Sequence, residues 1–449
     1  MSSMTRRSFI GTSIAAAGTA GAIGSLANAS PATLRKAVGT SILGANERIR
    51  VGVIGTGGQG RHDLMTFFKH DKTLDVPVIC DVDDAMVAEC QKLLAAHQKP
   101  NADTVKDYRK LLDRKDVDVV IIGTPDHWHA RQVIDACQAG KDMYCEKPLA
   151  NSIGEGKAMV DWVNKTGRVL QMGTQWRMST HFGEAVNYVQ SGKLGKIRLV
   201  RCWCALDWFN PVGHHEDEDT PPGVDYDMWL GPAPSRRFNR GRFHFSFRWF
   251  WDYAGGLMTD WGVHLLNIAL WAMDPKPPQR VASVGGKWLY QDDAETPDTQ
   301  NTLYDFGDWG LVWEHQACTG HGAEGREHGV AFYGEHGTVI VDAGKWEVCP
   351  EAKSKKKLER EVHPIAEDPE LCRVKLVADF LECCRTRSKP TMNVEVGHRV
   401  TTVAHLGNLA LRTGKSIEYD ATAMRIIGND EANRMIMAPY REKWALPKP

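Results

Sequence analysis

The chain has 449 residues, enough for two domains that each bury their own core. It is 42% hydrophobic, 25% charged and 8% aromatic, an ordinary balance for a soluble globular protein. The formal net charge of -1 leaves no electrostatic footprint for nucleic acid or an anionic membrane, and the one basic cluster, Lys353 to Lys357, is interleaved with acids.

At the start, Arg6-Arg7 stands ahead of a mild apolar stretch from Ile10 to Leu26, followed by Ala27-Asn28-Ala29. This order predicts a twin-arginine export signal over residues 1–29, a linker over 30–46 and a periplasmic or otherwise exported location. No other apolar run reaches the ~20 residues needed to span a bilayer. The 11 cysteines lie between Cys80 and Cys384 without a C-x-x-C pair. Several fall in apolar segments, where a free thiol behaves as a small hydrophobe. That suits a chain folded in a reducing compartment before export.

From residue 47 the pattern becomes regular. "RIRVGVIG" (48–55), "VPVICD" (76–81), "VDVVIIGT" (117–124), "KDMYCEK" (141–147) and "RVLQMG" (168–173) are short apolar runs bounded by glycine or charge, as buried strands are. Helical stretches over 82–98, 127–139 and 151–166 separate them. The alternation predicts a parallel sheet covered on both faces, a Rossmann domain over 47–173 in an α/β chain.

Inside it, "IGTGGQG" carries Gly55-x-Gly57-x-x-Gly60 between a strand and a helix. Gly55 is assigned to the tight turn, Gly57 to the approach of a pyrophosphate and Gly60 to helix–strand packing. Thr56, Gly58 and Gln59 complete the loop, whose free N–H groups favour phosphate. Asp81 ends the second strand, where a carboxylate binds ribose hydroxyls and repels a 2′-phosphate; Val82 follows where NADP enzymes often place arginine. The expected cofactor is NAD rather than NADP. "GTPDHWH" (123–129) leaves another strand end, with Thr124, Pro125 and His127 as candidates for the nicotinamide side. The alternative for this stretch is a plain helix start capped by Asp126, and His129 is given no special role.

"CEKPLA" (145–150) leaves the same sheet edge and would put Glu146 and Lys147 beside the nicotinamide. After residue 174 the strands become longer and more alternating, as in 196–206 and 281–290. The stretch 299–317 reads as a hairpin closed by Gly307-Asp308. Residues 251–273 read as one strong helix. Asp260 and His264 are then i and i+4 on one face. A histidine near neutral pKa suits the proton transfer that accompanies alcohol oxidation, with a carboxylate to orient it. A capped core histidine is the competing reading. Helices at 371–387 and 396–413 are expected to pack back on the first domain, closing a second domain over 174–420 before a tail, 421–449.

"IGTGGQG", "TPDHWHA", "CEKPLA" and "GGLMTDWGVHLL", in this order and spacing, resemble the Gfo/Idh/MocA oxidoreductases over roughly residues 48–420. The resemblance implies a C-terminal α/β domain whose open, mainly antiparallel sheet often forms a dimer or tetramer interface. It also implies that Lys147 polarises the reacting hydroxyl, that His264 is the general acid/base and that Asp260 is a substrate ligand.

Weaker candidates surround that site. Trp176 and Arg177 in "GTQWRMS" start the second domain, so they could meet substrate; a surface arginine with a packed stem is the alternative. Trp208, Trp249 and Trp251 flank the same side and offer flat faces for the C–H surface of a sugar. "GHHEDEDT" (213–220) lacks a regular ligand spacing, so no metal is expected. The leading expectation is an NAD-dependent oxidoreductase acting on a carbohydrate, glycoside or cyclitol hydroxyl with tightly held cofactor. The alternative is a redox-neutral, NAD-recycling lyase, epimerase or glycosidase; a non-catalytic sugar sensor ranks third.

Overall fold

A computed structural model describes residues 48–207, 210–317 and 319–449. The predicted export signal and linker lie outside these residues, as does Trp208. The first sheet is made of β1 (Arg50–Ile54), β2 (Asp75–Cys80), β3 (Asp103–Val105), β4 (Val119–Ile122), β5 (Asp142–Cys145) and β6 (Leu170–Met172). Its strand order is β3-β2-β1-β4-β5-β6, and all pairs are parallel. Order reverses between β2 and β4 on either side of β1, and a ligand crevice opens at such a switch point. The continuous apolar runs seen in the sequence are fully buried here, as Val119 to Ile122 illustrate at 0% exposure.

Helices α1 (Gly58–His70), α2 (Asp84–Ala96), α3 (Tyr108–Leu112), α4 (Asp126–Gln138) and α5 (Ile153–Thr166) cover the sheet. Asp83 caps α2 by accepting from Ala85 N, and Asp107 caps α3 through Arg109 N. The alternative of a helix start capped by Asp126 is met only in part: α4 does begin here, at Asp126 itself, but with Pro125 before it and no side-chain cap bond.

The second sheet has ten strands: β7 (Ile197–Leu206), β8 (Arg280–Gly286), β9 (Thr299–Asp305), β10 (Gly310–Ala317), β11 (His328–Gly334), β12 (Gly337–Val341), β13 (Lys345–Pro350), β14 (Glu361–Pro364), β15 (Ile417–Asp420) and β16 (Arg425–Ile426). It is open, and antiparallel except for the β7–β10 pair. The hairpin β9–β10 closes as expected through Gly307, which sits at φ +87°. Alternation along β9 buries Gln300, Thr302 and Tyr304 and turns Asn301 and Leu303 outward. Leu303 and Val284 are exposed on that outer side.

Helices α6 (Thr180–Gln190), α7 (Tyr226–Leu230), α8 (Gly256–Asp260) and α9 (Gly262–Met273) belong to the second half, with α10 (Leu371–Thr386), α11 (Val394–Thr413) and α12 (Asp430–Arg434). The single helix expected over 251–273 is a correction. Gly256 at φ +66° is outside right-handed helix geometry, so helix starts only there, and the ladder is pinched at Trp261. Leu376, Phe380 and Leu381 of α10 join the Rossmann core, whereas most of α11 joins the core of the second sheet. Residues 421–449 are not a loose tail. They hold β16 and α12, and Trp444 is 3% exposed within the Rossmann core. The ten described cysteines are free thiols, all buried except the half-buried Cys349. Among the described residues no helix is long and apolar enough to cross a membrane.

Candidate active site

The glycine loop leaves β1 with the geometry a dinucleotide fingerprint requires. Gly55 adopts φ +84°. A Cβ on Gly60 would sit 1.9 Å from the Gly55 carbonyl oxygen, so only glycine lets α1 pack this close. A Cβ on Gly57 would meet no protein atom within 4 Å, which leaves its backbone open to a ligand at the start of α1.

A cleft of about 500 Å³ opens beside this loop. Gly55, Gly57, Gly58, Gln59, Asp81, Thr124 and Pro125 line it. Asp81 is oriented from behind: its Oδ2 accepts from Thr56 N (2.6 Å) and Thr56 Oγ1 (3.0 Å), and its Oδ1 accepts from Asp83 N (3.1 Å). Burial raises the Asp81 carboxyl, while the bonds from Thr56 and Asp83 pull it back. These residues fit a dinucleotide with its phosphates on the α1 N-terminus and a ribose at Asp81.

Thr56, Gly60, Glu146, Lys147 and His127 do not line the cleft; each supports it, lies beside it or turns away. Glu146 accepts from Gln59 Nε2 at 3.3 Å and from its neighbour Lys147 N at 3.1 Å. The same Gln59 amide donates to Asp63 at 2.9 Å, and burial together with the facing Glu146 pushes the Asp63 carboxyl well up. His127 is a correction. Its ring packs against Trp229 and Tyr253, and Nε2 donates to the Trp229 carbonyl at 3.0 Å. Burial pushes its pKa down to about 3. His129 is buried between the Pro148 and Thr124 carbonyls, at 2.8 and 3.0 Å.

Lys147, Asp260 and His264 come together next to this cleft. Lys147 Nζ donates to Asp260 Oδ1 (2.5 Å) and to the Asp260 carbonyl (3.2 Å). The Lys147–Pro148 peptide is cis. Burial alone would raise the Asp260 carboxyl, but Lys147 and Arg248 outweigh it and hold the group well below the usual carboxylate range. Burial, then the charge of Lys147, lowers His264 to about 3, so its imidazole is neutral. Its Nδ1 is buried without a protein partner. Trp176 packs 5.2 Å from the His264 ring and forms a wall with Trp261.

Arg177 and Trp251 are not brought to this cluster. Arg177 Nε donates to Asn267 Oδ1 at 2.7 Å, and its guanidinium lies 5.3 Å over Trp271. Trp251 is covered by Arg412 at 4.8 Å, and its backbone N–H donates to Glu295 Oε2 at 2.9 Å. Both histidines of 213–220 and the acids Asp217, Glu218 and Asp219 have partners, as in His214–Asp293 and Arg240–Glu218, and no group of three metal-ligating side chains forms among the described residues.

Residues 49–174 match a family profile described as an oxidoreductase family with an NAD-binding Rossmann fold. Residues 179–294 and 344–446 match the C-terminal alpha/beta domain of that oxidoreductase family. The chain belongs to the Gfo/Idh/MocA oxidoreductase family.

Its family relatives include glycosyl hydrolase family 109 protein 1 of Shewanella sp. (strain ANA-3), 32% identical over 179 residues, which are 38% of this chain and 39% of that protein. Levoglucosan dehydrogenase of Pseudarthrobacter phenanthrenivorans is 34% identical over 169 residues, 36% of this chain and 42% of that protein. The matched stretch is thus less than half the length of these curated relatives. A solved levoglucosan dehydrogenase in complex with NADH and levoglucosan has a TM-score of 0.64 at 18% identity, covering 83% of this chain and 99% of that one. That likeness is one of fold.

Several lining residues of this Gfo/Idh/MocA cleft escaped the motif reading. Tyr108 and Trp128 form one wall, and Met228 and Trp229 form another. His244, Phe245 and Arg248 come over from the second half. His244 Nε2 meets Asp83 Oδ2 at 2.8 Å, and Arg248 Nε donates to Asp260 Oδ1 at 3.2 Å, so one short segment touches both the α2 cap and the Lys147–Asp260 pair. His328, at the start of β11, does not line the cleft but stacks at 5.8 Å on Trp176, the neighbour of the His264 ring. The aromatic run "HFSFRWFW" (244–251) was the available signal for Arg248; His328 had none.

Proposed function

We infer that this chain transfers hydride to or from a secondary hydroxyl of a carbohydrate, glycoside or cyclitol. The observation that carries this is the convergence of Lys147, Asp260 and His264, with Lys147 Nζ 2.5 Å from Asp260 Oδ1 and Asp260 tied at 3.2 Å to Arg248, which lines the dinucleotide cleft. Bound NAD supplies the hydride acceptor or donor. Lys147 donates to the reacting hydroxyl oxygen, and Asp260 fixes the lysine for that contact. Neutral His264 accepts the hydroxyl proton as the C–H bond is broken, and returns it in the reverse direction. Trp176 and Trp261 give the apolar face of a sugar ring a flat wall.

A second reading keeps the same residues in a redox-neutral cycle, in which a transient keto-sugar is formed and finally reduced again. The partial likeness to a glycosyl hydrolase family 109 protein favours it. So does the predicted export by Arg6-Arg7, because an exported enzyme would carry NAD bound from the cytoplasm and exchange it slowly. In that reading the cofactor is retained tightly and regenerated in place. The open second sheet, with Leu303 and Val284 outward, is proposed as the dimer or tetramer face.

The test purifies the full chain without added nucleotide, identifies the nucleotide released on denaturation, and follows a panel of glycosides by NMR with the intact enzyme. NAD or NADH released and a keto product support the oxidoreductase; cleavage or epimerisation without net NADH supports the recycling alternative. Full turnover by Lys147→Ala would overturn both.

A further inference from the structure

The two walls of the cofactor cleft belong to different halves of the chain. Trp128 stands on α4 of the Rossmann domain, and Met228 and Trp229 stand on α7. They meet at one seam, where Trp128 Nε1 donates to the Trp229 carbonyl at 2.9 Å. Widening the cleft at this end requires α7 to move away from α4.

A third element spans the seam from outside. On the α7 side, Arg441 N donates to the Pro232 carbonyl (3.0 Å), Nε to the Gly231 carbonyl (2.6 Å) and Nη2 to the Asp227 carbonyl (2.7 Å). Arg441 Nη1 and Lys443 Nζ also pair with the two Asp227 carboxylate oxygens. On the Rossmann side, Trp444 packs edge-on against Trp128 at 4.9 Å, and Arg131 Nη1 donates to the Ala445 carbonyl at 2.7 Å. Trp162 Nε1 donates to the Pro447 carbonyl at 3.1 Å, and Tyr440 OH to Glu155 Oε1 at 2.5 Å. No residue of this segment lines the cleft, so its contacts act on the walls and not on a ligand.

We propose that residues 440–447 form a strap that sets the rate of cofactor release, with Arg441 as the positioning residue that holds α7 against α4. This rests on the reading of the cleft as the NAD site. Opening the seam breaks the Trp128–Trp229 contact and also requires Arg441 to give up its simultaneous bonds to three carbonyls and a carboxylate, or the strap to leave the Rossmann side. The strap therefore acts on the dissociation rate, the quantity that most contact changes alter.

The test loads the full-length protein with NADH and chases it with excess NAD, following the loss of energy transfer from tryptophan to NADH. Arg441→Ala is expected to release NADH about tenfold faster or more, with Arg441→Lys in between. Lys353→Ala, which removes a charge from a remote exposed loop, is expected to release it at the wild-type rate. Lys443→Ala removes the outer pairing with Asp227 and the ammonium contact 5.7 Å over the Trp444 ring, leaves the Arg441 bonds in place and is expected to give a smaller acceleration, which keeps the idea testable if Arg441→Ala does not fold. Release at the wild-type rate from Arg441→Ala, with amide exchange showing 440–447 undocked, would overturn the strap and leave the NAD site standing. A wild-type protein that binds no NADH would overturn the cleft reading, and the strap with it.

Discussion

Lys147 reaches the backbone of Asp260 as well as its side chain, because the helix between α8 and α9 is broken at Trp261. His264 N bonds to the Trp261 carbonyl at 3.0 Å, three residues back, instead of continuing the four-residue ladder to Asp260. The Asp260 carbonyl accepts from Lys147 Nζ at 3.2 Å, and the carboxylate of the same residue accepts at 2.5 Å. One residue thus fixes the ammonium group by two bonds in different directions. Asp260→Asn keeps the shape and removes the charge that balances Lys147 and Arg248. We expect it to lower kcat far more than it raises KM, since Lys147 would stay near the site but lose its fixed direction. Lys147→Ala should cost on the order of 10²–10⁴ in single-turnover hydride transfer. NADH binding measured by fluorescence should change little in both variants, and loss of binding equal to the loss of rate would sink the assignment.

His264 offers a pH signature. With its pKa lowered to about 3 by burial and by Lys147, it is in the base form at every pH where the protein is handled. The rate of hydroxyl oxidation should therefore show no acid limb near the ordinary histidine value of about 6.5. His264→Gln keeps a polar side chain but no base, and should lower that rate at all pH values by about 10²-fold or more. A wild-type profile that falls with a midpoint between pH 6 and 7 would contradict the neutral, buried base.

The glycine loop separates binding from stability. Gly57 has φ -63° and open space where a Cβ would be, so Gly57→Ala should leave the thermal midpoint unchanged and weaken NADH binding. Gly60→Ala drives a methyl group against the Gly55 carbonyl and must push α1 off β1. Overpacking of this kind costs about 1–3 kcal/mol, so Gly60→Ala should lower stability together with binding. Calorimetry and fluorescence titration of the two variants check the contrast, which fails if Gly57→Ala is the less stable of the two.

The parts of the fold legible in the sequence were those with a strong period or a glycine constraint. β1, β2 and β4 are apolar runs buried on both faces, and the Gly55–Gly60 loop needs its glycines for visible steric reasons. β3 was missed because it is three residues long, at a sheet edge and largely exposed. The position of His127 was misjudged because a strand-end histidine reads the same whether it turns toward the crevice or, as here, toward Trp229. Arg248 and Arg441 lie in segments without period, and their roles follow from which carbonyls and carboxylates the tertiary fold places beside them.

The buried histidines also set the response of the fold to acid. Burial lowers His127 and His264 to about 3, and His129, His315, His398 and His405 to about 4. Each binds its proton less readily when folded than at the ordinary value of about 6.5, so the unfolded chain takes up more protons as pH falls through that window. Stability is then fully present above about pH 6.5 and is lost toward pH 4, by up to about 1.4 kcal/mol per pH unit for each histidine. Buried carboxyls act in the opposite sense. Asp126 is pushed up to about 8 and Glu155 to about 7, so each favours the folded state at low pH and loses that contribution as pH rises through its folded value. Burial also raises Asp63, Asp81 and Glu146 and lowers His62, His181 and His328. Nine lowered imidazoles thus outweigh five raised acids below about pH 6.5, whereas above it the histidines no longer contribute and the raised acids set the slope. The urea midpoint should therefore peak near about pH 6.5, fall steeply on the acid side and gently toward pH 8. Glu155→Gln, which keeps a polar side chain opposite Tyr440, should flatten part of the alkaline decline. A midpoint that rises between pH 6.5 and 5 would show that these histidines are protonated in the folded protein.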